Sequence, residues 1–195
     1  MIYSVRGTLI LMEAGFAVVE CGGVGYRVQT SISTQMQLKL NSEVMLYTHM
    51  NVREDAMELF GFATKSELNT FRMLIGITGV GPKVALAILS ELSSEQIAMC
   101  VSAGDSKTLT CANGVGPKLA QRIVLELKDK IKGVSAEGFE VSKGSVIADT
   151  GNVSKAVAAL AVFGYSAADV TPILSRLDPN LSVEEMITAT LRQMA

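Results

Sequence analysis

The pentapeptide Gly79-Val80-Gly81-Pro82-Lys83 occurs a second time, thirty-five residues later, as Gly114-Val115-Gly116-Pro117-Lys118. At that offset Leu74 also matches Leu109, Ala85 matches Ala120, Ile88 matches Ile123, and Glu91-Leu92 matches Glu126-Leu127. A repeat of this length is one supersecondary unit used twice. Each copy holds an apolar segment, a Gly-x-Gly turn, a proline, a lysine and an amphipathic helix. After the first turn Val84, Ala85, Ile88, Leu89 and Leu92 recur at helical spacing. After the second, Leu119, Ala120, Ile123, Val124, Leu127 and Ile131 repeat that face. The middle of the chain is predicted to be helical and duplicated.

The chemistry of such a turn is that of a phosphate clamp. A helix N-terminus presents unpaired backbone N–H groups and a partial positive charge. Glycines just before it remove side chains, so a phosphate oxygen can approach the backbone. Pro82 and Pro117 suit the first helical position, where the missing N–H costs least. Lys83 and Lys118 add a point charge. The candidate binding residues are Gly79, Val80, Gly81 and Lys83 in one copy and Gly114, Val115, Gly116 and Lys118 in the other. Lys107 precedes the second turn, and Arg122 lies one helical turn past Lys118 on the same face. Contacts of this kind read no base, so binding is expected to be independent of sequence. The spacing is that of a helix-hairpin-helix motif. A Walker loop is excluded because Lys83 follows Pro82 and precedes Val84, and a dinucleotide fingerprint because position 84 is Val in a helical context.

Outward from the repeat, residues 1–63 read as five strands, 2–11, 16–21, 26–31, 44–52 and 57–62, rich in Val, Ile, Leu, Tyr and Phe and punctuated by Gly15, Gly22-Gly23 and Gly25. Five short strands in this length predict a small closed barrel of the OB type, with an open five-stranded sheet as the alternative. Thr64-Lys65-Ser66-Glu67 is a capping-box pattern and opens the helical segment, 64–132. From 133 to 151 the periodicity dissolves among Gly, Ser, Lys and acids, the pattern of a flexible linker. Residues 152–195 predict three short helices, two of them opening with the capping patterns Ser166-x-x-Asp169 and Ser182-x-x-Glu185, with Pro172 inside the middle one. The fold class is thus α+β and multidomain: an OB-like barrel, an all-α double hairpin domain and a tethered three-helix domain.

Composition narrows the function. Residues 1–63 carry four basic and six acidic side chains, 64–133 nine and six, and 134–195 four and seven. The doubled turn therefore lies in the one segment with a positive excess. Cys21, Cys100 and Cys111 lack metal-ligand spacing, and His49 is the single histidine. All three cysteines are expected to be small core residues, with no metal and no cofactor. No apolar run approaches the roughly 18 residues of a membrane span, and a soluble cytoplasmic protein is expected.

Val52-Arg53-Glu54-Asp55-Ala56 falls where the fourth strand turns into the fifth. Two exposed acids beside a phosphate-binding surface would repel the ligand. Together with Gly23-Val24-Gly25-Tyr26, Leu59-Phe60-Gly61-Phe62, both Gly-Val-Gly-Pro-Lys turns, Ala158-Ala159-Leu160 and Gly164-Tyr165, this segment resembles the RuvA family of Holliday-junction DNA-binding subunits. The resemblance implies a homotetramer, or two tetramers face to face, on a four-way DNA junction. Barrels would lie at its centre and hairpins along its arms. Glu54 and Asp55 would form an acidic pin at the crossover, and Arg53 would hold a phosphate beside it. Residues 152–195 would bind the hexameric ATPase RuvB, and the RuvC resolvase would join a larger complex. The chain itself would be non-catalytic. One departure is Pro117, where relatives often carry a basic residue; one phosphate contact is then lost, or moved to Lys118 and Arg122. A glycosylase or nuclease on the same hairpins would need a catalytic Lys or Asp beside the second turn, but Lys118 belongs to the clamp and Asp129 lies far along its helix. A pure oligomerisation module would show no salt-dependent DNA affinity.

Overall fold

The structure, a computed structural model, describes residues 1–136, 152–178 and 181–194. Their contacts divide into two units: Met1–Ser93 with Cys111–Val115, and Ser94–Thr110 with Gly116 onward.

In the first unit, strands β1 (Ser4–Glu13), β2 (Phe16–Cys21), β3 (Val24–Gln29), β4 (Glu43–Val52) and β5 (Met57–Phe62) close a barrel in the order β1-β2-β3-β5-β4. Closure, not an open sheet, follows because β1 pairs with both β2 and β4, while β3 meets β5 in parallel at Gln29 and Phe60. An irregularity between Leu9 and Leu11 lets the long first strand bend from one partner to the next. Two glycines are required by close approach. A Cβ at Gly7 would meet the Glu20 carbonyl oxygen at 1.9 Å, and one at Gly61 would meet Val28 Cγ1 at 2.4 Å. Alternate residues point inward, so Val5, Leu9, Ala17, Val19, Val28, Val44 and Leu46 fill the interior. The first and third strands sit two residues from their predicted limits. Pairing with β2 carries β1 on to Glu13, and Ser31 is taken by the cap of α1 (Ile32–Met36).

Helix α2 (Lys65–Ile75) begins as the capping pattern predicts, with the Thr64 hydroxyl accepting from the Glu67 N–H. Glu67 does more than cap. Its buried carboxylate accepts from the Thr34 hydroxyl at 2.9 Å, the Gln37 amide at 3.1 Å and the Ala63 N–H at 3.0 Å, binding α1 and α2 to the end of β5. Phe71 of α2 lies 5.2 Å from Phe60 and 4.9 Å from Phe62, ring centre to ring centre. Such pairs contribute about 0.5–1.5 kcal/mol each beyond their buried area. Helix α3 (Pro82–Glu91) is tied back in turn, its Ser90 hydroxyl accepting from the Ile32 N–H at 3.0 Å and its Leu89 carbonyl from the Ser33 hydroxyl.

The second unit holds α4 (Ser94–Ala103), α5 (Ser106–Leu109), α6 (Pro117–Ala136), α7 (Asn152–Val162), α8 (Ala167–Leu174) and α9 (Val183–Met194). Gly104 ends α4 with φ 74°, and Asp105 caps α5 by accepting from the Lys107 and Thr108 N–H groups. The Ser182–Glu185 box forms in both directions, at 2.9 and 3.3 Å. Helix α6 runs to Ala136, beyond its predicted end, and the rest of the predicted linker, 137–151, lies outside the described residues. Helix α8 stops at Leu174, with Pro172 inside it. Helix α7 packs on α6, and α9 on α4.

Candidate nucleic-acid interface

The two glycine turns have the same local build. Gly79 has φ 93° and Gly114 φ 85°, values that disfavour any residue with a Cβ. The Val80 N–H donates to the Ile77 carbonyl at 3.0 Å, and the Val115 N–H to the Ala112 carbonyl at 3.1 Å. One turn later the Ala85 N–H reaches Gly81 at 3.0 Å, and the Ala120 N–H reaches Gly116 at 2.9 Å. Leu74 and Leu109, Ala85 and Ala120, and Ile88 and Ile123 are all buried, so the repeat in sequence is a repeat in packing. Val80 and Val115 are buried too. Their side chains anchor the turns in the core, and only their backbone remains for a ligand.

The second glycine of each turn is the informative one. Gly81 is the N-cap of α3, with φ −86° and ψ 170°, a conformation open to any residue. Ser31 and Ser166 hold nearly the same backbone at the N-caps of α1 and α8, and both cap with their hydroxyls. A Cβ at Gly81 or at Gly116 would meet nothing within 4 Å. Folding therefore does not require glycine there, and helix capping prefers serine. No side chain caps α3. The Lys83 and Val84 N–H groups precede the first internal hydrogen bond of the helix, from the Ala85 N–H to the Gly81 carbonyl.

Lys83 and Lys118 are each the second residue of their helix and are exposed, as are Lys107 and Arg122. Arg122 follows Lys118 by one turn of α6. Lys107 has an acid beside it: Asp105 is held below the usual carboxylate range by the Thr108 hydroxyl and backbone, and further by the Lys107 backbone and ammonium. Pro117 is the first residue of α6 and exposed, so the second clamp has no N–H at that position.

The β4–β5 hairpin closes from the Arg53 N–H to the Ala56 carbonyl at 2.8 Å, leaving Glu54 and Asp55 as the two central residues of the turn. Arg53, Glu54 and Asp55 are all exposed. This tip and the first clamp share a groove of about 340 Å³, lined by Arg53, Asp55, Ala56 and Glu58 on one side and Gly81, Pro82, Lys83 and Val84 on the other. Sequence reasoning named both walls but not their meeting, and it missed Glu58. No periodicity connects a hairpin tip to a turn so far along the chain. Among the described residues no cluster of three His, Cys, Asp or Glu could hold a metal ion. One cysteine expectation fails: Cys111 is exposed, because it lies in the turn ahead of Gly114 rather than on a packed face.

A closed OB-type barrel followed by tandem helix-hairpin-helix units defines a DNA-binding class of protein. The profile described as "RuvA N terminal domain" matches residues 1–61, and "SAM-like Helix-hairpin-helix tandem" matches 71–129. The Holliday junction branch migration complex subunit RuvA of Acetivibrio thermocellus is 42% identical, over 98% of this chain and 97% of its own. The subunits of the same name from Clostridium botulinum (strain Loch Maree) and Chlorobaculum parvum are 39% and 40% identical, over 97% of this chain and 97% and 96% of theirs. The chain belongs to the RuvA family. Among the described residues no single helix is long and apolar enough to cross a membrane.

Proposed function

We propose that the chain binds four-way DNA junctions by shape, without reading sequence, and recruits the RuvB ATPase that drives branch migration in recombination and repair. It acts as the non-catalytic, DNA-binding subunit of that cytoplasmic complex. The observation that carries the reading is the pair of glycines at 81 and 116, which folding does not need and which a phosphate oxygen does. Each clamp would take a phosphate on the N–H groups at the start of α3 or α6, with Lys83 or Lys118 adding charge and Lys107 and Arg122 extending the track. A single clamp binds weakly, with Kd around 10⁻⁴–10⁻⁶ M as for non-specific contacts. Useful affinity then comes from linkage, two clamps per chain and a homotetramer on the four arms, or two tetramers face to face.

Glu54 and Asp55 serve as the acidic pin. A carboxylate about 7 Å from a phosphate in water is repelled by about 0.6 kcal/mol, and by more where the solvent is displaced. Several such pins at a crossover favour separated strands, while Arg53 beside them holds a backbone in place. By function the chain divides into a barrel with its pin (1–63), the hairpin domain, which continues to the end of α6, and a motor-binding segment (152–195), with RuvC joining a larger assembly.

The test is a titration of a four-way junction and a linear duplex of the same sequence at several salt concentrations. Tighter binding to the junction, with affinity falling steeply as salt rises, is the expected result. Equal affinity for the two DNAs would overturn the reading.

A further inference from the structure

The β4–β5 hairpin has two unlike faces. Side chains alternate along a strand, so Leu46, Thr48, Met50 and Val52 share one face of β4. Across the ladder, Gly61, Leu59 and Met57 stand opposite Thr48, Met50 and Val52. This face lines the barrel: Leu46 and Leu59 belong to the core, and Met50 packs against it. The row does not end where the core ends. Val52 and Met57, its last pair, are 59% and 74% exposed. The other face is polar. Arg53, Ala56 and Glu58 line the groove shared with Gly81, Pro82 and Lys83, and neither Val52 nor Met57 takes part in it.

A single exposed apolar side chain needs no account, but two that face each other beside a ligand groove mark a contact surface. Charge decides what can cover this one. Glu54 and Asp55 stand between Val52 and Met57 at the exposed tip, so a phosphate backbone is repelled from the pair. A second copy of the same tip would set the carboxylates of one against those of the other. The face of a nucleobase carries no charge and is apolar. A nucleotide also has two unlike ends, as the hairpin has two unlike faces. Its phosphate suits Arg53 and Lys83 on the groove side, and its base suits Val52 and Met57 on the other. Methionine is among the side chains that DNA-binding proteins wedge against base steps, and its flexible thioether adapts to any base.

We propose that Val52 and Met57 form an apolar platform for the faces of unpaired bases at the junction crossover. The proposal rests on the reading that the chain binds four-way junctions with this hairpin at their centre. Repulsion by Glu54 and Asp55 can part strands, but it leaves the parted bases to water. The platform replaces part of the stacking they lose. Contact with a base face reads no edge, so it stays indifferent to sequence.

The experiment uses the full chain, a linear duplex, and a four-way junction of the same sequence carrying at its crossover a fluorescent purine that brightens on leaving its stack. The parent protein is expected to raise that fluorescence on binding. Met57→Gln keeps the length of the side chain and makes its end polar. It is expected to weaken junction binding about three- to tenfold and to remove about half of the fluorescence rise. Its melting temperature and its affinity for the linear duplex are expected to stay at the parent's. Met57→Leu, apolar and of similar volume, is expected to keep junction affinity within about twofold of the parent. Equal affinity of the parent for junction and duplex would remove the junction reading, and the platform with it. A parent that selects the junction, with Met57→Gln unchanged in affinity and fluorescence, would overturn the platform alone. So would an equal loss on the linear duplex, a loss that Met57→Leu shares, or a smaller assembly of Met57→Gln by light scattering, which would give the pair to a contact between copies.

Discussion

Replacing Gly81 by serine separates binding from folding. The backbone at Gly81, φ −86° and ψ 170°, is that of an ordinary N-cap, and the added Cβ meets nothing within 4 Å. Ser31, at φ −72° and ψ 160°, shows the result to expect: its hydroxyl accepts from the Thr34 N–H three residues on. At position 81 the same bond would take the Val84 N–H. Serine caps a helix better than glycine by a few tenths of a kcal/mol, and losing glycine freedom in the unfolded chain adds about 0.4–1 kcal/mol. Together these give roughly 1 kcal/mol, or a Tm higher by about 2–4 °C for a protein of this size. Junction binding moves the other way. The hydroxyl occupies the approach of the phosphate and consumes a donor. The loss of one hydrogen bond to a charged group is about 1.5–3 kcal/mol, at least about tenfold in affinity. Thermal melting and fluorescence anisotropy with a labelled four-way junction measure the two effects on one preparation. A variant that melts higher and binds as tightly as the parent would refute the clamp, and one that melts lower would refute the account of why glycine is there. Gly79→Ala is the contrasting control: at φ 93° it should destabilise the fold outright.

Four further outcomes are expected. Lys83→Ala should weaken binding to all DNA sequences alike and reduce the salt slope by about one, measured by titration from low to moderate salt. Glu54→Gln with Asp55→Asn should keep or tighten junction binding while altering branch migration, and a marked loss of affinity would count against the pin. Glu67→Ala strands donors from Thr34, Gln37 and Ala63 and should cost about 1–3 kcal/mol, seen as a lower Tm with near-normal junction affinity if the protein is assayed well below its melt. His49 lies 5.6 Å from Phe71 and is held below the ordinary imidazole range, first by burial and then by the Arg72 charge. The unfolded chain therefore binds that proton more readily. Its contribution to stability is full above about pH 6.5 and is lost as pH falls through the lower folded value, so acid melting should be less steep in His49→Gln.

What the sequence made legible was local. Thr64, Asp105 and Ser182 announce their helices because a cap acts within three residues, and Gly15 and Gly22-Gly23 mark turns for the same reason. The doubled pentapeptide was readable because both halves of the clamp lie in one short segment. What stayed hidden depends on residues far apart. Glu67 reads as a capping acid, yet it also ties down α1, a role visible only when Thr34 and Gln37 arrive beside it. Asp55 and Lys83 share a groove because Phe71 fixes α2 against β5, and nothing in either motif implies the other. Val80 and Val115 look like ligand-facing members of a glycine turn. They are core residues, because a turn with glycine on both sides still needs one anchor.

A clamp made of backbone N–H groups and a lysine presents the same contact to every phosphate. Side chains that read base edges would make some steps along DNA harder than others, by about 1–3 kcal/mol per base pair. That ruggedness is well above thermal energy and would stall a moving crossover at preferred sequences. The empty space at Gly81 and Gly116 avoids it. On the proposed function the duplex would be gripped firmly in total and evenly along its length, so the protein would hold the arms while adding little sequence-dependent friction to their movement.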